Sequence, residues 1–186
     1  ASAFALTGNP IYNRAMDLCF TPATALAAAI NARTVSAREA VDAVLDRIAV
    51  AEPTLNAFVT VCADRARAEA DAVDTRIAKG EDVGPLAGVP LSVKDLVNTA
   101  GVRTTFGSAA FEHNVPKADA VAVARLRAAG AILVGKTATP EFGHKPITWT
   151  PLFGWTANPW NTDRTPGGSS GGAGAAVAAG CAPLGL

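Results

Sequence analysis

The sequence predicts an α/β layered fold with a mixed, largely parallel central sheet flanked by helices. Three observations lead there. Two short apolar runs, Val89–Val93 and Ala131–Val134, have the length of strands, and the second contains no polar residue, as in a strand covered on both faces. Helical segments at 118–129 and 171–179 are interleaved with them, the strand–helix–strand order of a layered sheet. The chain has 186 residues, 49% of them hydrophobic, enough for one domain-sized core. No linker divides it and no repeat is visible. Residues 1–186 therefore read as part of one domain: an arm over 1–20, a helical region over 21–83 and a core from 84 onward.

Each element has a local cause. Ala1–Phe20 shows no sustained period and is expected to be irregular. Thr21-Pro22 supplies an N-cap and a proline at the first helical position, opening a helix over Ala23–Ala32. Ser36 with Glu39 forms a capping box. Val41, Val44, Leu45 and Ile48 then share one face of a helix over Ala37–Ala51, which Pro53 is expected to stop. Ala57–Val61 reads as a strand, and Ala63–Lys79 as a long helix closed by Gly80. In the core, the helix over Ala118–Ala129 is expected to turn Val121, Val123 and Leu126 inward. Asn158-Pro159-Trp160-Asn161 reads as a turn with an aromatic anchor.

The chemistry concentrates in two places. Thr165-Pro166-Gly167-Gly168-Ser169-Ser170-Gly171-Gly172 combines small residues with two hydroxyls and leads into the apolar helix Ala173–Gly180. Such a loop bares backbone N–H groups at a helix N-terminus, a place for a carboxylate or a developing oxyanion. Far upstream, Lys94 ends the apolar strand Leu91-Ser92-Val93. Buried there, it would have a depressed pKa and could act as a base toward a serine. Asp95 points to the opposite face of an extended segment, so it braces a turn rather than pairing with Lys94.

This combination resembles the amidase signature family over nearly all of the chain after the first twenty residues. Gly84–Asp95 resembles the family's lysine segment, and Gly130–Thr137 with Pro140-Glu141-Phe142-Gly143 its next block. Asn158–Asn161 and Gly167–Gly180 resemble the start of the signature itself. Ala138 and Trp149 depart from residues common there. The resemblance implies amide-bond hydrolysis through a Ser–Ser–Lys relay and an acyl-enzyme. Lys94 takes the place of the catalytic lysine and Ser169 that of the bridging serine, whose preceding peptide bond is cis in the family. Gly168, Ser170, Gly171 and Gly172 fall in the substrate and oxyanion loop, with Ser170 outside the triad. No cofactor and no metal are implied, and the partner is a small-molecule amide. The family's nucleophile follows a Pro-Leu-Gly-Leu stretch, which here is Pro183–Leu186. The expectation is therefore the N-terminal part of an amidase domain, an incomplete amidase signature fold, inactive alone. Two alternatives accompany it: the glutaminase-like A subunit of a tRNA-dependent amidotransferase, and an inactive folded fragment. The segment Val93-Lys94-Asp95-Leu96-Val97 followed by Asn98-Thr99-Ala100-Gly101 resembles the stand-alone enzymes more, since the transferase subunit tends to have Asn after Lys-Asp. A homodimer is left open.

Other readings are weaker. Gly130-x-x-x-x-Gly135-Lys136-Thr137 matches a phosphate-binding loop letter for letter. Its filler, Ala131-Ile132-Leu133-Val134, favours an extended strand over a cradle of inward N–H groups, and Lys136 reads as structural. His113 and His144 lack a Gly-x-Ser-x-Gly elbow and read as loop residues. With 16 basic and 16 acidic residues and no run of like charge, nucleic acid is not expected as a direct partner. No apolar run suggests a membrane span, and no signal peptide is visible at Ala1–Pro10. Cys19, Cys62 and Cys181 show no paired spacing and read as reduced thiols of a cytoplasmic protein; a zinc site is not expected.

Overall fold

The computed structural model describes residues 18–186, so the expected arm lies outside the described residues except for Leu18–Phe20, which are helical. Helix α1 spans Ala23–Asn31, with Pro22 at the N-cap rather than one position further in. Helix α2 runs from Ala37 to Leu55. Its start is fixed by the expected capping box: Ser36 Oγ accepts from the Glu39 N–H and the Glu39 carboxylate accepts from the Ser36 N–H. Pro53 does not stop it. A proline in the final turn removes one hydrogen bond without breaking the helix, and the chain leaves at Asn56, whose φ of 48° is left-handed.

Strand β1, Phe58–Val61, leads into helix α3, Ala63–Ala78, which ends before Gly80 at φ +75°. Strand β2 is Pro90–Lys94 and β3 is Ile132–Thr137, longer than its apolar run because Lys136 and Thr137 are themselves fully buried. Between them, helix α4 covers Val121–Ala128. It starts three residues later than its pattern predicts. The Asp119 carboxylate accepts from the Ala100 N–H at 2.6 Å and the Ala120 N–H donates to Asn98 O at 2.9 Å, which ties the preceding residues to the loop. Val121, expected inside, is consequently 68% exposed, while Val123 is buried. A hairpin of β4, Trp149–Thr150, and β5, Gly154–Trp155, precedes helix α5, Gly171–Ala178, and strand β6, Leu184–Gly185. Trp160, expected as an anchor, is 86% exposed on its turn.

The sheet order is β1-β3-β2-β6, with β2 parallel to β3 and β6 and β1 antiparallel at the edge. It is the mixed, largely parallel sheet that the sequence predicts. Helices α1, α2, α3 and α5 pack one core around Ile132 and Val134. The other face holds Leu91, Val93 and Leu133 beneath Val102 and Val123. Each such fully buried aliphatic side chain stabilises the fold by roughly 1.5–3 kcal/mol. Among the described residues no helix is long and apolar enough to cross a membrane. The Asp74 carboxylate accepts from the Ala37 and Arg38 N–H groups at 2.8 and 3.0 Å, and Ser36 Oγ from that of Glu39 at 3.0 Å. Ser36→Ala, which removes the acceptor of the Glu39 N–H, should lower stability by about 1 kcal/mol in urea unfolding; an unchanged midpoint would mean that another group satisfies that donor.

Candidate active site

Lys94 and Lys136 stand on adjacent strands but on opposite faces. Across the β2–β3 ladder Val93 pairs with Lys136 and Lys94 with Thr137, and successive side chains alternate. Lys136 thus shares the face of Val93, and Lys94 shares the face against which α5 packs.

On that face Lys94 is only 8% exposed. Its Nζ donates to Ser169 Oγ at 2.7 Å and to Ser170 Oγ at 3.1 Å. Burial holds its ammonium below the ordinary lysine range, and among the described residues no carboxylate lies within ion-pair distance to oppose that pull. Asp95 has gone to the other side. Its Oδ2 accepts from the Thr105 N–H at 3.0 Å and hydroxyl at 2.5 Å, and its Oδ1 lies 3.9 Å from Lys136 Nζ. Asp95 braces a turn, as its position predicts, and also faces a lysine that the sequence does not connect to it.

Lys136 is fully buried. Its Nζ donates to Val97 O at 2.6 Å, Thr104 Oγ1 at 2.8 Å and Thr99 Oγ1 at 3.1 Å. Both threonine hydroxyls donate their own hydrogens to Val97 O and Val102 O, so their oxygens accept from the amine. That arrangement occupies the three N–H donors of an ammonium. Burial pulls Lys136 down to about 8 against the Asp95 charge, which leaves it charged at neutral pH. No phosphate cradle forms: Gly135 and Lys136 are buried strand residues.

Glycines let the serine loop lie directly on backbone. A Cβ on Gly168 would meet Ile147 N at 2.7 Å; one on Gly171 would collide with Thr148 Oγ1, and one on Gly172 with the backbone of Ala138. The Gly172 N–H, expected to be bare, donates to Ala138 O at 3.2 Å. Thr148 Oγ1 donates to Gly167 O at 2.9 Å. The Gly168–Ser169 peptide bond is cis. Ser169 is half-buried and Ser170 exposed, with Gly171 and Gly172 sunk beneath them.

The structure therefore brings together Lys94, Ser169 and Ser170, with Gly168 adjoining. It leaves His113 and His144 exposed, the latter's Nδ1 lying 2.5 Å from Glu141 O. One neighbourhood is not legible in the sequence. Phe106, Phe111 and Phe142 form a ring cluster with centroids 5.2–6.4 Å apart. Phe142 precedes Gly143, where a Cβ would lie 3.6 Å from Ser169 Oγ, so the segment that carries this ring adjoins the serine loop. Phe142 belongs to a recognisable block, whereas Phe106 and Phe111 lie in loops without a period. An open cleft of about 360 Å³ between Cys62, Arg65 and Arg103 contains none of these residues.

Known proteins share this arrangement of chain. The family model described as Amidase matches residues 39–186. The A subunit of a glutamyl-tRNA(Gln) amidotransferase from Thermosynechococcus vestitus is 54% identical over 144 residues, 77% of this chain and 30% of its own length. A bacterial aryl acylamidase of the amidase signature family superposes with a TM-score of 0.85 at 35% identity, covering 88% of this chain and 34% of that one. A fatty acid amide hydrolase superposes with a TM-score of 0.89 at 28% identity, covering 96% and 31%. The chain spans about a third of the length of the relatives it matches.

The buried lysine sets a pH dependence. Lys136 gives up its proton near 8 in the folded chain but near ~10.4 when unfolded. Between those values the unfolded chain holds more protons, so this contribution to stability rises with pH; below about 8 the cost of burying the charge is present in full. Urea midpoints of the wild type should therefore gain on those of an Asp95→Asn/Lys136→Met variant as pH rises through that window. A constant gap would show that Lys136 titrates normally.

Proposed function

The chain belongs to the amidase signature family, whose model spans residues 39–186, and from that premise we propose that it carries the base and the bridging serine of an amide-hydrolysing centre. Neutral Lys94 takes a proton from Ser169, and Ser169 takes the proton of a serine nucleophile that the family places after the segment matched here by Pro183–Leu186. That nucleophile attacks the amide carbonyl and an acyl-enzyme forms. The proton returns along the relay to the leaving amine, and water releases the acid. Backbone N–H donors stabilise the oxyanion; loss of one such donor costs about 10²–10³-fold in rate.

The observation that carries this reading is the 2.7 Å contact between Lys94 Nζ and Ser169 Oγ, made by a buried lysine with no carboxylate partner among the described residues. A lysine held as a buried cation would sit as Lys136 does, among acceptors and beside a carboxylate. Ser170 also meets Lys94, but it is the more distant and more exposed of the two serines. Nucleophile, oxyanion donors and substrate belong to the whole protein.

A second reading makes the whole protein the A subunit of a glutamyl-tRNA(Gln) amidotransferase, whose amide substrate would be glutamine. The 54% identity to one such protein favours it; Leu96 after Lys94-Asp95, where the transferase subunit tends to have Asn, favours a stand-alone amidase. Both use the same pair. Ammonia release from L-glutamine that rises with the other amidotransferase subunits and charged tRNA marks the transferase, and turnover of 4-nitroacetanilide by the protein alone marks the amidase.

The whole protein should be labelled at one serine by a fluorophosphonate probe, which reports an activated nucleophile whatever the substrate. Lys94→Ala and Ser169→Ala should each slow labelling roughly 10³-fold or more. Lys94→Arg should not restore it, because a guanidinium does not give up its proton. Labelling of Lys94→Ala at the wild-type rate would remove Lys94 from the relay.

A further inference from the structure

We propose that Lys136 is a positioning residue for the Lys94–Ser169 pair, acting through the turn that follows Lys94. The inference rests on the reading of Lys94 and Ser169 as a relay. Lys136 touches neither of them, since it lies on the reverse face of the sheet. Its influence runs through backbone. The Val97 N–H donates to Lys94 O at 2.9 Å, closing a Lys94–Val97 turn, and Lys136 Nζ holds the carbonyl of Val97 from beneath at 2.6 Å. The bonds from Nζ to Thr99 and Thr104 gather the loop beyond that turn. Asp95, facing the same amine, fixes the turn's second residue: its N–H donates to Thr137 O at 3.0 Å, its C=O accepts from Phe106 N at 3.0 Å, and its carboxylate accepts from Thr105.

The turn and the serine loop both pack against Gly143. Leu96 Cδ1 lies 2.6 Å from where Gly143 would carry a Cβ, and that same point lies 3.6 Å from Ser169 Oγ. The clamp under Val97 thus sets the end of β2 that carries Lys94 and the turn residue, Leu96, that packs against the same glycine as Ser169. This gives a role to the lysine of the Gly135-Lys136-Thr137 segment, which reaches inward instead of toward a phosphate. Among the described residues the polar partners of the Lys94 amine are Ser169 and Ser170; the charged and titratable groups that act on the clamp are Asp95, Cys62 and Asp119 on Lys136, and Arg103 on Asp95.

The test is the rate of fluorophosphonate labelling of the whole protein against pH, for wild type, Lys136→Met, Thr104→Val and the Asp95→Asn/Lys136→Met double variant. Displacing a relay group by about 1 Å costs on the order of 10²-fold, so Lys136→Met should label that much more slowly per folded molecule. Its acid limb should move to higher pH, because a Lys94 released from its place gains water and approaches the ordinary lysine value. Thr104→Val, which removes one of three acceptors, should fall between. If Lys136→Met does not fold, the double variant, which buries no lone charge, decides the matter by the same two readouts. A labelling rate that falls only with the folded fraction, with the acid limb unmoved, would overturn the proposal. Lys94→Ala is the control: if it labels as fast as wild type the relay reading fails, and if it is silent while the double variant labels normally only the positioning role fails.

Discussion

Alternation of side chains along two parallel strands is the constraint on which this site depends. β2 and β3 each end in polar residues inside an apolar sheet, and the pleat sorts them. Val93 and Lys136 go to one face, and Lys94 and Thr137 to the other. Asp95, one residue past Lys94, follows Lys136. A slip of one residue in this pairing would turn Lys94 to the face of Lys136 and Asp95 to the face on which α5 packs. As the strands stand, Lys136 sits among three acceptors with Asp95 nearby, and the Lys94 amine meets, among the described residues, two hydroxyls. Two buried lysines on neighbouring strands thereby acquire opposite characters, one a structural cation and one a candidate base.

The partner of Lys94 is delivered by glycine rather than by side-chain packing. Gly168, Gly171 and Gly172 lie against Ile147, Thr148 and Ala138 so closely that any Cβ would collide. Helix α5 can therefore start directly over the sheet, with Ser169 and Ser170 at the height of Lys94 Nζ. Ala175 and Ala176 of α5 join the core around Ile132 and Val134, so the burial that holds the helix also sets the serines before it. The rings of Phe111 and Phe142 meet edge to face and stay exposed, Phe142 one residue before the glycine that lies against Ser169.

Much of this is legible in the sequence, for reasons that differ by residue. The capping box at Ser36 and Glu39 is a local rule with one outcome. The apolar filler at 131–134 permits little besides a buried strand, which disposes of the phosphate-loop reading. Lys94 and Ser169 stand out through the motif resemblance; the lysine alone would pass for a strand-end residue. What the sequence hides depends on tertiary context. Val121 has the right period to face inward, but the Asp119 contacts delay the helix and leave it outside. Pro53 looks like a stop because its tolerance in a final turn depends on where the helix ends. Nothing in a single sequence says that Lys136 reaches the loop at 97–104, that Ser170 also meets Lys94, or that Phe106, Phe111 and Phe142 gather from separate loops.

The separation of Asp95 from Lys94 can be measured directly by following lysine side-chain NMR signals through a pH titration, with Lys94 and Lys136 identified by substitution. The account predicts that Lys94 titrates below the ordinary lysine value and that Asp95→Asn leaves it there, while the same substitution lowers Lys136, which loses the charge that opposes its burial. A Lys94 that titrates at or above the ordinary value, or that drops when Asp95 is neutralised, would show that the carboxylate faces Lys94 and would contradict the account.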